Sequence, residues 1–575
     1  MQTQNSLKLS SNALKILEKR YLLKDDSGKI IETPTQMFIR AAKTASMADK
    51  IYGDDYKKSF KEFFNIMNNL EFLPNSPTLM NSGTKLNQLS ACFVLPIEDS
   101  LESIFDTLKL TAKIHHSGGG TGFNFSHIRP EGDIVNSTKG VASGPIKFIE
   151  IYNTTTDAIK QGGKRRGANM GILNSNHPDI FKFINAKQEF NFSNFNLSVN
   201  VTNEFMEKAQ KNENYWLINP NTHKKIKEVN AGKIFDLLVY NAWKNGDPGI
   251  IFIDEINKKN NFGTIESTNP CGEQPLLPYE SCNLGSINLS KFVKNNNIEW
   301  EELKKTIIIA VHFLDNIIDI NNYPDDKIKK ITLENRKIGL GVMGWADVLI
   351  ILNIAYNSDE ALQFSEKIMS FIQSTAKNAS LEIAKKRGSF PNFKKTKLCK
   401  NYDYMRNLTV TTIAPTGTIS IIAGCSSGIE PLFALSFVRN ILEGAKLLET
   451  YELFKKESVA QNFYSEKLML EIAKKGSVKD VNEVPKNVKR IFVTALDIDY
   501  SWHVKMQAAF QKYTDNAVSK TINLPENATI KDVRNAYLLA YKLKCKGITV
   551  YRYKSKPEQV LNINYSQKCQ SSSCQ

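Results

Sequence analysis

An amphipathic helix, a glycine-containing stop and a short apolar strand follow one another repeatedly along this chain. Residues 234–245 have helical apolar spacing, end at a Gly-Asp-Pro-Gly run, and are followed by the strand-like residues 250–253. Residues 531–546 repeat the pattern, with Gly547 after the predicted helix and apolar residues beyond it. Short buried strands that alternate with helices usually pair as parallel neighbours. The pattern therefore predicts an α/β body with a largely parallel sheet.

Length and composition divide the chain into three predicted parts. Its 575 residues suggest about three or four domain-sized units, or one large α/β body with additions. Residues 1–70 have the apolar spacing of helices, and residues 71–553 hold the α/β pattern. Residues 554–575 are polar and rich in Ser and Gln, which predicts a flexible tail. No apolar run approaches the roughly 20 residues that cross a bilayer, and the first residues lack the form of a signal peptide. We therefore expect a cytoplasmic protein without a membrane partner.

The chain carries a formal net charge of +16, which is one property of proteins that bind nucleic acid. Its lysines, however, are scattered among Asn and Ile, as at residues 327–330, rather than gathered in one block. This distribution favours a compositional bias with solvated lysines over a nucleic-acid surface. A basic protein also attracts small phosphorylated substrates, so charge alone does not choose between an enzyme and a binding protein.

One of the eight cysteines, Cys271, lies in a run that has the parts of a reactive site. Pro270 fixes its own φ and Gly272 permits unusual backbone angles, so the thiol is held on a tight loop. An amide, Asn269, precedes the thiol by two residues, and a carboxylate, Glu273, follows it by two. Taken alone, the run favours a buried thiol beside a surface turn over a reactive site.

The other cysteines favour redox chemistry over metal binding. No paired C-x-x-C set with zinc spacing occurs, so we expect no structural metal site. Cys92 and Cys282 could converge with Cys271 in an α/β body, where two thiols able to form a disulfide would serve as a two-electron reductant. Cys569 and Cys574 lie on the predicted tail, from which a dithiol could reach and reduce a buried disulfide. The alternative is that the tail pair is accidental or binds a metal.

Three glycine-rich loops complete the set of candidate features. Residues 117–122 follow a His-His pair that we interpret as packing or turn residues, and residues 162–167 are basic as well as glycine-rich. Residues 415–419 follow a strand-like run and read Pro-Thr-Gly-Thr-Ile at a predicted helix start. Backbone N–H groups and hydroxyls in that setting are typical of phosphate binding. None of the three is a Walker loop or a dinucleotide fingerprint.

Four separated motifs together resemble those of ribonucleotide reductases. They are the Asn-Pro-Cys-Gly-Glu run at 269–273 and the segments at 74–81, 281–289 and 415–419. The resemblance extends from about residue 11 to about residue 551 and is greatest to the adenosylcobalamin-dependent class II enzymes. It implies a ten-stranded α/β barrel of two half-sheets with an inner finger loop, preceded by a small helical N-terminal region.

The resemblance also implies a mechanism for making deoxyribonucleotides from ribonucleoside diphosphates. A thiyl radical on Cys271 would remove the 3′ hydrogen of the ribose, and Glu273 would accept the 3′-hydroxyl proton. Asn269 would hold the substrate and the carboxylate in place. Cys92 and Cys282 would supply the electrons and end as a disulfide. Cobalt–carbon cleavage in adenosylcobalamin would generate the radical.

Binding residues and partners follow from the same resemblance. The implied substrate-binding residues are Ser76, Ala91, Cys92, Gly119, Gly120, Asn269, Pro270, Cys271, Gly272, Glu273, Pro415, Thr416, Gly417, Thr418 and Ile419. The implied effector loop comprises Gly163, Lys164, Arg165 and Arg166, where dNTP or ATP effectors would influence the choice of substrate. Cys569 and Cys574 would re-reduce the active-site pair with electrons from thioredoxin or a similar reductant. A homodimer is implied, without nucleic-acid or membrane partners.

Some features depart from the family pattern. Only about 70 residues precede Pro74, so we expect no nucleotide-binding activity domain and no overall inhibition by dATP. Four residues separate Cys569 from Cys574, a looser spacing than the C-x-x-C often found in class II tails. The alternative is a class I large subunit, which receives its radical from a metal-containing partner subunit through stacked tyrosines. Here Arg552 interrupts any tyrosine pair, which favours class II.

Overall fold

The computed structural model describes residues 7–135, 139–159, 167–440 and 446–555. It opens with helices, as the N-terminal sequence predicts: α1 Ser11–Arg20, α2 Pro34–Ser46, α3 Asp49–Tyr52, α4 Tyr56–Asn68 and α5 Ser76–Asn81. Local sequence explains their starts. The Ser10 hydroxyl accepts from the backbone of α1, and Thr33 forms a reciprocal capping box with Gln36 at α2. The predicted domain boundary at residues 70/71 remains a prediction.

The remaining helices alternate with strands along the chain. The helices are α6 Leu101–His116, α7 Gly144–Ala158, α8 Ile180–Glu189, α9 Asn203–Lys211, α10 Ala231–Asn245, α11 Ile253–Lys259, α12 Trp300–Ile320, α13 Asp326–Asn335, α14 Trp345–Ile351, α15 Asp359–Arg387, α16 Ile419–Ala423, α17 Glu452–Ala460, α18 Glu466–Lys475, α19 Lys486–Ile491, α20 Tyr500–Gln511 and α21 Ile530–Lys542. The strands are β1 Phe72–Pro74, β2 Cys92–Val94, β3 Gly120–Asn124, β4 Asn169–Asn174, β5 Phe195–Val201, β6 Asn214–Ile218, β7 Lys225–Asn230, β8 Gly249–Phe252, β9 Ser267–Thr268, β10 Pro275–Leu276, β11 Ser281–Asn288, β12 Val293–Lys294, β13 Asn297–Ile298, β14 Ile338–Met343, β15 Ser436–Asn440, β16 Lys446–Thr450, β17 Thr521–Leu524 and β18 Gly547–Arg552.

Ten of these strands form one sheet, in which nine strands make up two parallel halves and β1 pairs antiparallel with β11. In the first half, β2, β3, β4, β5 and β8 pair in parallel in that order. In the second half, β11 pairs in parallel with β14, and β17 with β18. Antiparallel pairs join the halves at both sides, β11 with β2 and β8 with β18. The α/β fold class and the two half-sheets are therefore confirmed.

A short extended segment, residues 409–413, closes the barrel within the second half. The backbone N–H of Leu340 in β14 donates to Val410, and the N–H of Ile413 donates to Ala517, which leads into β17. Parallel bridges connect the same neighbours. The two ends of the sheet are thereby brought together around a central space.

Two apolar clusters cover the outer faces of the barrel. One contains buried residues of the N-terminal helices, α12, α15 and the β11–β14 half. The other contains buried residues of α6 to α10, α21 and the β2–β8 half. Among the helices described, none is long and apolar enough to cross a membrane.

The prediction of a helix over residues 531–546 was wrong at its end. Helix α21 ends at Lys542, and Lys544 reverses the chain with a φ of 59°. The residue identified as the helix stop, Gly547, instead begins β18. A Cβ at Gly547 would lie 3.2 Å from the carbonyl oxygen of Ile250 in β8, so glycine at this position permits close strand pairing.

Candidate active site

Cys271 lies on a tight loop between β9 and β10, which form a two-stranded hairpin inside the barrel. The N–H of Gly272 donates to the carbonyl oxygen of Asn269 at 3.0 Å, and Gly272 has a φ of 78° that only glycine adopts readily. The Asn269 side-chain oxygen accepts from the N–H of Gln274 at 3.0 Å. The Cys271 side chain is exposed, while Asn269 and Glu273 are buried. The interpretation of Cys271 as a buried thiol beside a surface turn therefore does not hold.

Hydrogen bonds from the barrel fix this loop, which we call the finger loop (residues 267–276). The carbonyl oxygen of Glu273 accepts from the Thr412 hydroxyl and from the N–H of Ala517, each at 2.9 Å. On the other side, the Asn196 amide of β5 donates to the carbonyl oxygen of Pro270 at 2.8 Å. The loop is thus held by both half-sheets, which fixes the position of Cys271.

Glycines on β3 make room for the finger loop. A Cβ at Gly122 would overlap the carbonyl oxygen of Thr268, and one at Gly120 would lie 2.9 Å from the Pro270 ring. Any side chain at Gly122 would displace backbone, since the obstructing atom is not part of a flexible side chain. The Gly-Thr-Gly sequence of β3 is therefore a packing requirement of the loop.

The two predicted redox cysteines lie directly opposite each other. Cys92 of β2 and Cys282 of β11 are cross-strand partners in an antiparallel pair. Opposite Cα atoms in such pairs are about 4.5–5.5 Å apart, which falls within the range that a disulfide spans. Both are in the thiol form in this structure. Complete burial raises the pKa of Cys282, whose Sγ lies 3.6 Å from the carbonyl oxygen of Lys337.

Asn269 and Glu273 lie next to the cysteine pair. The Asn269 amide donates to Cys92 Sγ at 3.1 Å, and Cys92 Sγ lies 4.0 Å from Glu273 Oε1. A thiol, an amide and a carboxylate from distant parts of the chain therefore meet at one point. Such a group can hold a hydroxyl-bearing substrate and exchange protons with it.

A cavity of about 200 Å³ adjoins these side chains. Of the residues predicted to bind substrate, all but Gly272 line it: Ser76, Ala91, Cys92, Gly119, Gly120, Asn269, Pro270, Cys271, Glu273, Pro415, Thr416, Gly417, Thr418 and Ile419. Gly272 lines a neighbouring cavity instead. Cys282 lines neither cavity, but its cross-strand partner Cys92 lines the first one.

That neighbouring cavity, of about 460 Å³, lies on the other side of Cys271. Pro270, Cys271 and Pro415 line both cavities, so the thiol stands at their boundary. The larger cavity is bordered by residues of β5, β8, β17 and β18. Two buried lysines, Lys520 and Lys546, border it, and burial lowers the pKa of Lys546 to about 7.

The Pro-Thr-Gly-Thr turn lies at the first cavity, and its phosphate-binding role stays a prediction. Thr416 has a φ of 53°, and its hydroxyl accepts from the N–H of Gly428 at 2.6 Å. Helix α16 begins directly after the turn, at Ile419. No atom would obstruct a Cβ at Gly417, so the turn is open on that side.

Some predictions concern other parts of the chain. Gly163, Lys164, Arg165, Arg166, Cys569 and Cys574 lie outside the residues that the structure describes. His115 is a packing residue as expected: it is buried, its Nε2 lies 3.0 Å from the Thr121 hydroxyl, and burial lowers its pKa to about 4.

Several cavity residues were not predicted from the sequence. They are Arg20, Tyr21, Asn75, Met80, Ala168, Leu284, Gly285, Ser286 and Ala414. Most of them belong to or adjoin the four motifs. The motifs were identified from the sequence, but these residues were not predicted to line the site. Arg20 and Tyr21 come from the N-terminal helical region, where a helical pattern gave no sign of the cavity. In the described part of the chain, no group of three or more His, Cys, Asp or Glu side chains could hold a metal ion.

Two protein-family models match consecutive parts of the chain. The model described as "Ribonucleotide reductase, all-alpha domain" matches residues 7–87. The model described as "Ribonucleotide reductase, barrel domain" matches residues 90–551. Together they cover the helical region, the finger loop and both cysteine-bearing strands.

Individual proteins are similar over nearly the whole chain. A vitamin B12-dependent ribonucleoside-diphosphate reductase of Thermoplasma acidophilum is 52% identical over 98% of this chain and 81% of its own length. One of Mycobacterium tuberculosis is 46% identical over 97% of this chain and 81% of its own length. Among solved structures, the class Id ribonucleotide reductase alpha subunit of Actinobacillus ureae has a TM-score of 0.79 at 23% identity, covering 96% of this chain and 99% of that one. That structure supports the fold alone.

Proposed function

The chain belongs to the ribonucleotide reductase family, and from this premise we propose that it reduces ribonucleoside diphosphates with adenosylcobalamin as radical generator. The vitamin B12-dependent relatives, 46–52% identical over nearly the whole chain, favour this function over that of a class I large subunit. The observation that carries the proposal is the position of Cys271 at the boundary of two cavities. One cavity accepts the substrate and the other leaves room for the radical-generating group.

The reaction balances as a two-electron reduction. The ribose C2′–OH bond breaks, a C2′–H bond forms, and the hydroxyl leaves as water. Two thiols, Cys92 and Cys282, lose two hydrogens in total and become one disulfide. Their opposite positions in β2 and β11 support this pairing, because a disulfide there requires no rearrangement of the strands.

Cys271 and its neighbours have separate roles in the reaction at the ribose. The Cys271 sulfur, as a thiyl radical, takes the 3′ hydrogen and returns it at the end of the cycle. The Glu273 carboxylate accepts the 3′-hydroxyl proton, and the Asn269 amide fixes both the substrate and Cys92. Cys92 lines the cavity, so its thiol protonates the departing 2′-hydroxyl. Cys282, behind it, completes the disulfide.

The residues at the larger cavity fit the cofactor. Its 460 Å³ lie beside the Cys271 thiol, and its walls combine apolar side chains with uncharged polar ones such as Asn196 and Ser519 and with the buried lysines Lys520 and Lys546. Residues of β5, β8, β17 and β18 would hold the part of adenosylcobalamin nearest Cys271. When bound, adenosylcobalamin supplies an organic radical by homolysis of its cobalt–carbon bond. The finger loop holds Cys271 between that source and the ribose.

The substrate diphosphate lies at the 415–419 turn. The N–H of Ser420 donates to the carbonyl oxygen of Thr416 at 2.9 Å, so anionic oxygens would bind the other N–H groups at the start of α16 and the hydroxyls of the turn. Ser76, at the first position of α5, faces the same cavity. With the phosphates bound at this turn, the 2′ and 3′ positions of the ribose would lie at Cys92 and Cys271.

Three partners complete the proposal. Effector nucleotides act through the loop at residues 163–166, and Cys569 and Cys574 pass electrons from thioredoxin or a similar reductant to the active-site disulfide. A second copy of the chain binds the face formed by α6, α7 and the residues that precede α7, where large apolar side chains are exposed: Leu101, Phe105, Ile134, Val141 and Ile151. A cytoplasmic location remains a prediction from the sequence.

A reconstitution assay tests the proposed function. Purified chain, a ribonucleoside diphosphate, adenosylcobalamin and a small dithiol should yield deoxynucleotide without a second type of subunit. Omitting adenosylcobalamin is the control and should abolish the product. Activity that requires an iron or manganese protein in place of adenosylcobalamin would reject the class II assignment.

Cys569→Ser should retain turnover with the small dithiol and lose it with thioredoxin.

A further inference from the structure

A single cationic side chain from the N-terminal helical region lines the substrate cavity. Arg20 is the last residue of α1, and its side chain is exposed. Within the described residues, Arg20 and Glu273 are the only charged side chains that line this cavity. Glu273 belongs to the finger loop, whereas α1 packs against α16, the helix that begins at the phosphate turn. The cation therefore stands on the side of the cavity where the phosphates are proposed to lie.

The end of α1 is firmly attached at this position. Tyr21, the next residue, is buried, and its hydroxyl lies 2.7 Å from the hydroxyl of Ser76. The N–H groups of Tyr21 and Leu22 both donate to the carbonyl oxygen of Leu17, which is itself fully buried. The backbone that carries Arg20 is thus fixed against α5, another wall of the cavity.

The Arg20 guanidinium is available for a ligand. No salt bridge or side-chain hydrogen bond of Arg20 is present among the residues that the structure describes, whereas Arg40 on the next helix pairs with Glu32 at 2.6 Å. A diphosphate carries at least two negative charges, which the neutral groups of the 415–419 turn do not balance. A guanidinium offers two parallel N–H donors that match phosphate oxygens.

We propose that Arg20 binds the diphosphate group of the substrate, so that the N-terminal helical region forms part of the substrate site. The inference rests on the proposed function, since it takes a ribonucleoside diphosphate as the ligand. It assigns to α1 a role in distinguishing phosphorylated from unphosphorylated nucleosides. Arg20 acts in binding and not in the radical chemistry.

Equilibrium binding to the full chain without adenosylcobalamin tests this assignment. The variants are Arg20→Gln, Arg20→Lys and, as a matched control, Lys19→Gln, which removes the same charge from an adjacent exposed residue outside the cavity. Each chain is titrated with CDP and with cytidine. Loss of a charge-assisted hydrogen bond should raise the Kd for CDP on the order of 10-fold in Arg20→Gln, while the Kd for cytidine stays unchanged. Arg20→Lys should recover part of the affinity.

Two results would overturn the assignment. Equal Kd values for CDP in Arg20→Gln and Lys19→Gln would show that Arg20 does not bind the diphosphate. Equal weakening of CDP and cytidine would indicate a structural role only, and thermal unfolding of each variant supports that distinction. The outcome is separable from that of the proposed function. A chain that shows the Arg20 effect on binding but makes no deoxynucleotide refutes the function alone, and a chain that reduces CDP with an unchanged KM in Arg20→Gln refutes Arg20 alone.

Discussion

One amide, that of Asn269, joins the finger loop to the redox pair. Its oxygen accepts from the N–H of Gln274 and its nitrogen donates to Cys92 Sγ. An aspartate would lack the donor to sulfur, and an alanine would lose both bonds. The position of the loop and the environment of the thiol therefore depend on the same side chain, which explains why the reactive run needs an amide two residues before Cys271.

The cysteine pair yields a prediction at the residue scale. Chain that carries Cys569→Ser and Cys574→Ser, so that no tail dithiol can re-reduce the pair, should make close to one deoxynucleotide per active site with adenosylcobalamin and CDP but no reductant, and then stop. Peptide mapping should then find Cys92 linked to Cys282. Each turnover converts two thiols into one disulfide, and the opposite positions of these residues favour that pairing.

The matched control is Cys399→Ser, which changes an exposed cysteine that lines neither cavity. It should leave the stoichiometry unchanged, whereas Cys282→Ser should eliminate the disulfide. A disulfide between any other two cysteines after the single turnover would contradict the assignment.

At the scale of elements, the finger loop depends on a strand with almost no side chains facing it. Gly122→Ala should lower kcat about 100-fold, because a misplacement of about 1 Å at a catalytic group has an effect of that size. The reason is that the new methyl group would overlap the backbone of Thr268. Gly171→Ala on β4 is the control, since its methyl group would meet only side-chain atoms, at 3.0 Å. Equal activity of the two variants would show that the loop tolerates displacement.

A buried charge network attaches the N-terminal helices to the barrel. Asp315 of α12 accepts from Arg336 and from Arg406, and Arg406 also donates to Tyr52 of α3. Burial alone would raise the pKa of Asp315, but the two guanidinium groups lower it to about 2. The network therefore stabilises the fold only while Asp315 is ionised.

This shift predicts how stability depends on pH. The folded-state pKa lies below the usual 3.8, so the contribution is present above about pH 4 and is lost as the pH falls towards 2. Asp315→Asn should lower the free energy of unfolding by about 3 kcal/mol at pH 7, because it removes a buried carboxylate from two buried guanidinium groups and leaves them only Asp319 as counter-charge. It should also flatten the loss of stability in acid. Urea unfolding at several pH values measures both effects, with the exposed Glu382→Gln as a control that should match the wild type.

The sequence predicted elements better than their ends and contacts. Helical spacing and capping residues act locally, which is why α10 occurs where the pattern places it. The end of α21 depends instead on Lys544 in a left-handed conformation, which no local pattern indicates in a lysine. The strand-like segment at 409–413 was identified, but its place between β14 and the residues before β17 depends on pairing across more than 60 residues.

The candidate site was likewise predicted only in part from the sequence. The motifs identified the loop, the cysteine pair and the turn because their residue types are unusual together. Arg20 and Tyr21 remained unassigned, since an arginine and a tyrosine at the end of an amphipathic helix are ordinary surface and core residues. Only the packing of α1 against α16 brings them to the cavity.

At the scale of the whole molecule, the exposed face of α6 and α7 predicts self-association. Leu101 is 63% exposed and Val141 is 72% exposed, values typical of side chains that another surface covers. Phe105→Glu should raise the dimer dissociation constant at least about 10-fold, because a carboxylate would be buried in an apolar interface. Ile308→Glu on α12 introduces the same charge at an exposed apolar residue elsewhere and should leave the dimer intact. Sedimentation velocity distinguishes these results, and equal dissociation in both variants would exclude this face.

The Cys271 thiol lies between two cavities of the barrel, and the central claim is that this thiol carries the radical. Turnover of Cys271→Ser with CDP, adenosylcobalamin and a dithiol tests it most directly. We expect no deoxynucleotide from this variant, with a Kd for CDP within about twofold of the wild-type value, because oxygen does not replace sulfur as a reversible radical carrier. Cofactor-dependent turnover by the Cys271→Ser chain would contradict the account.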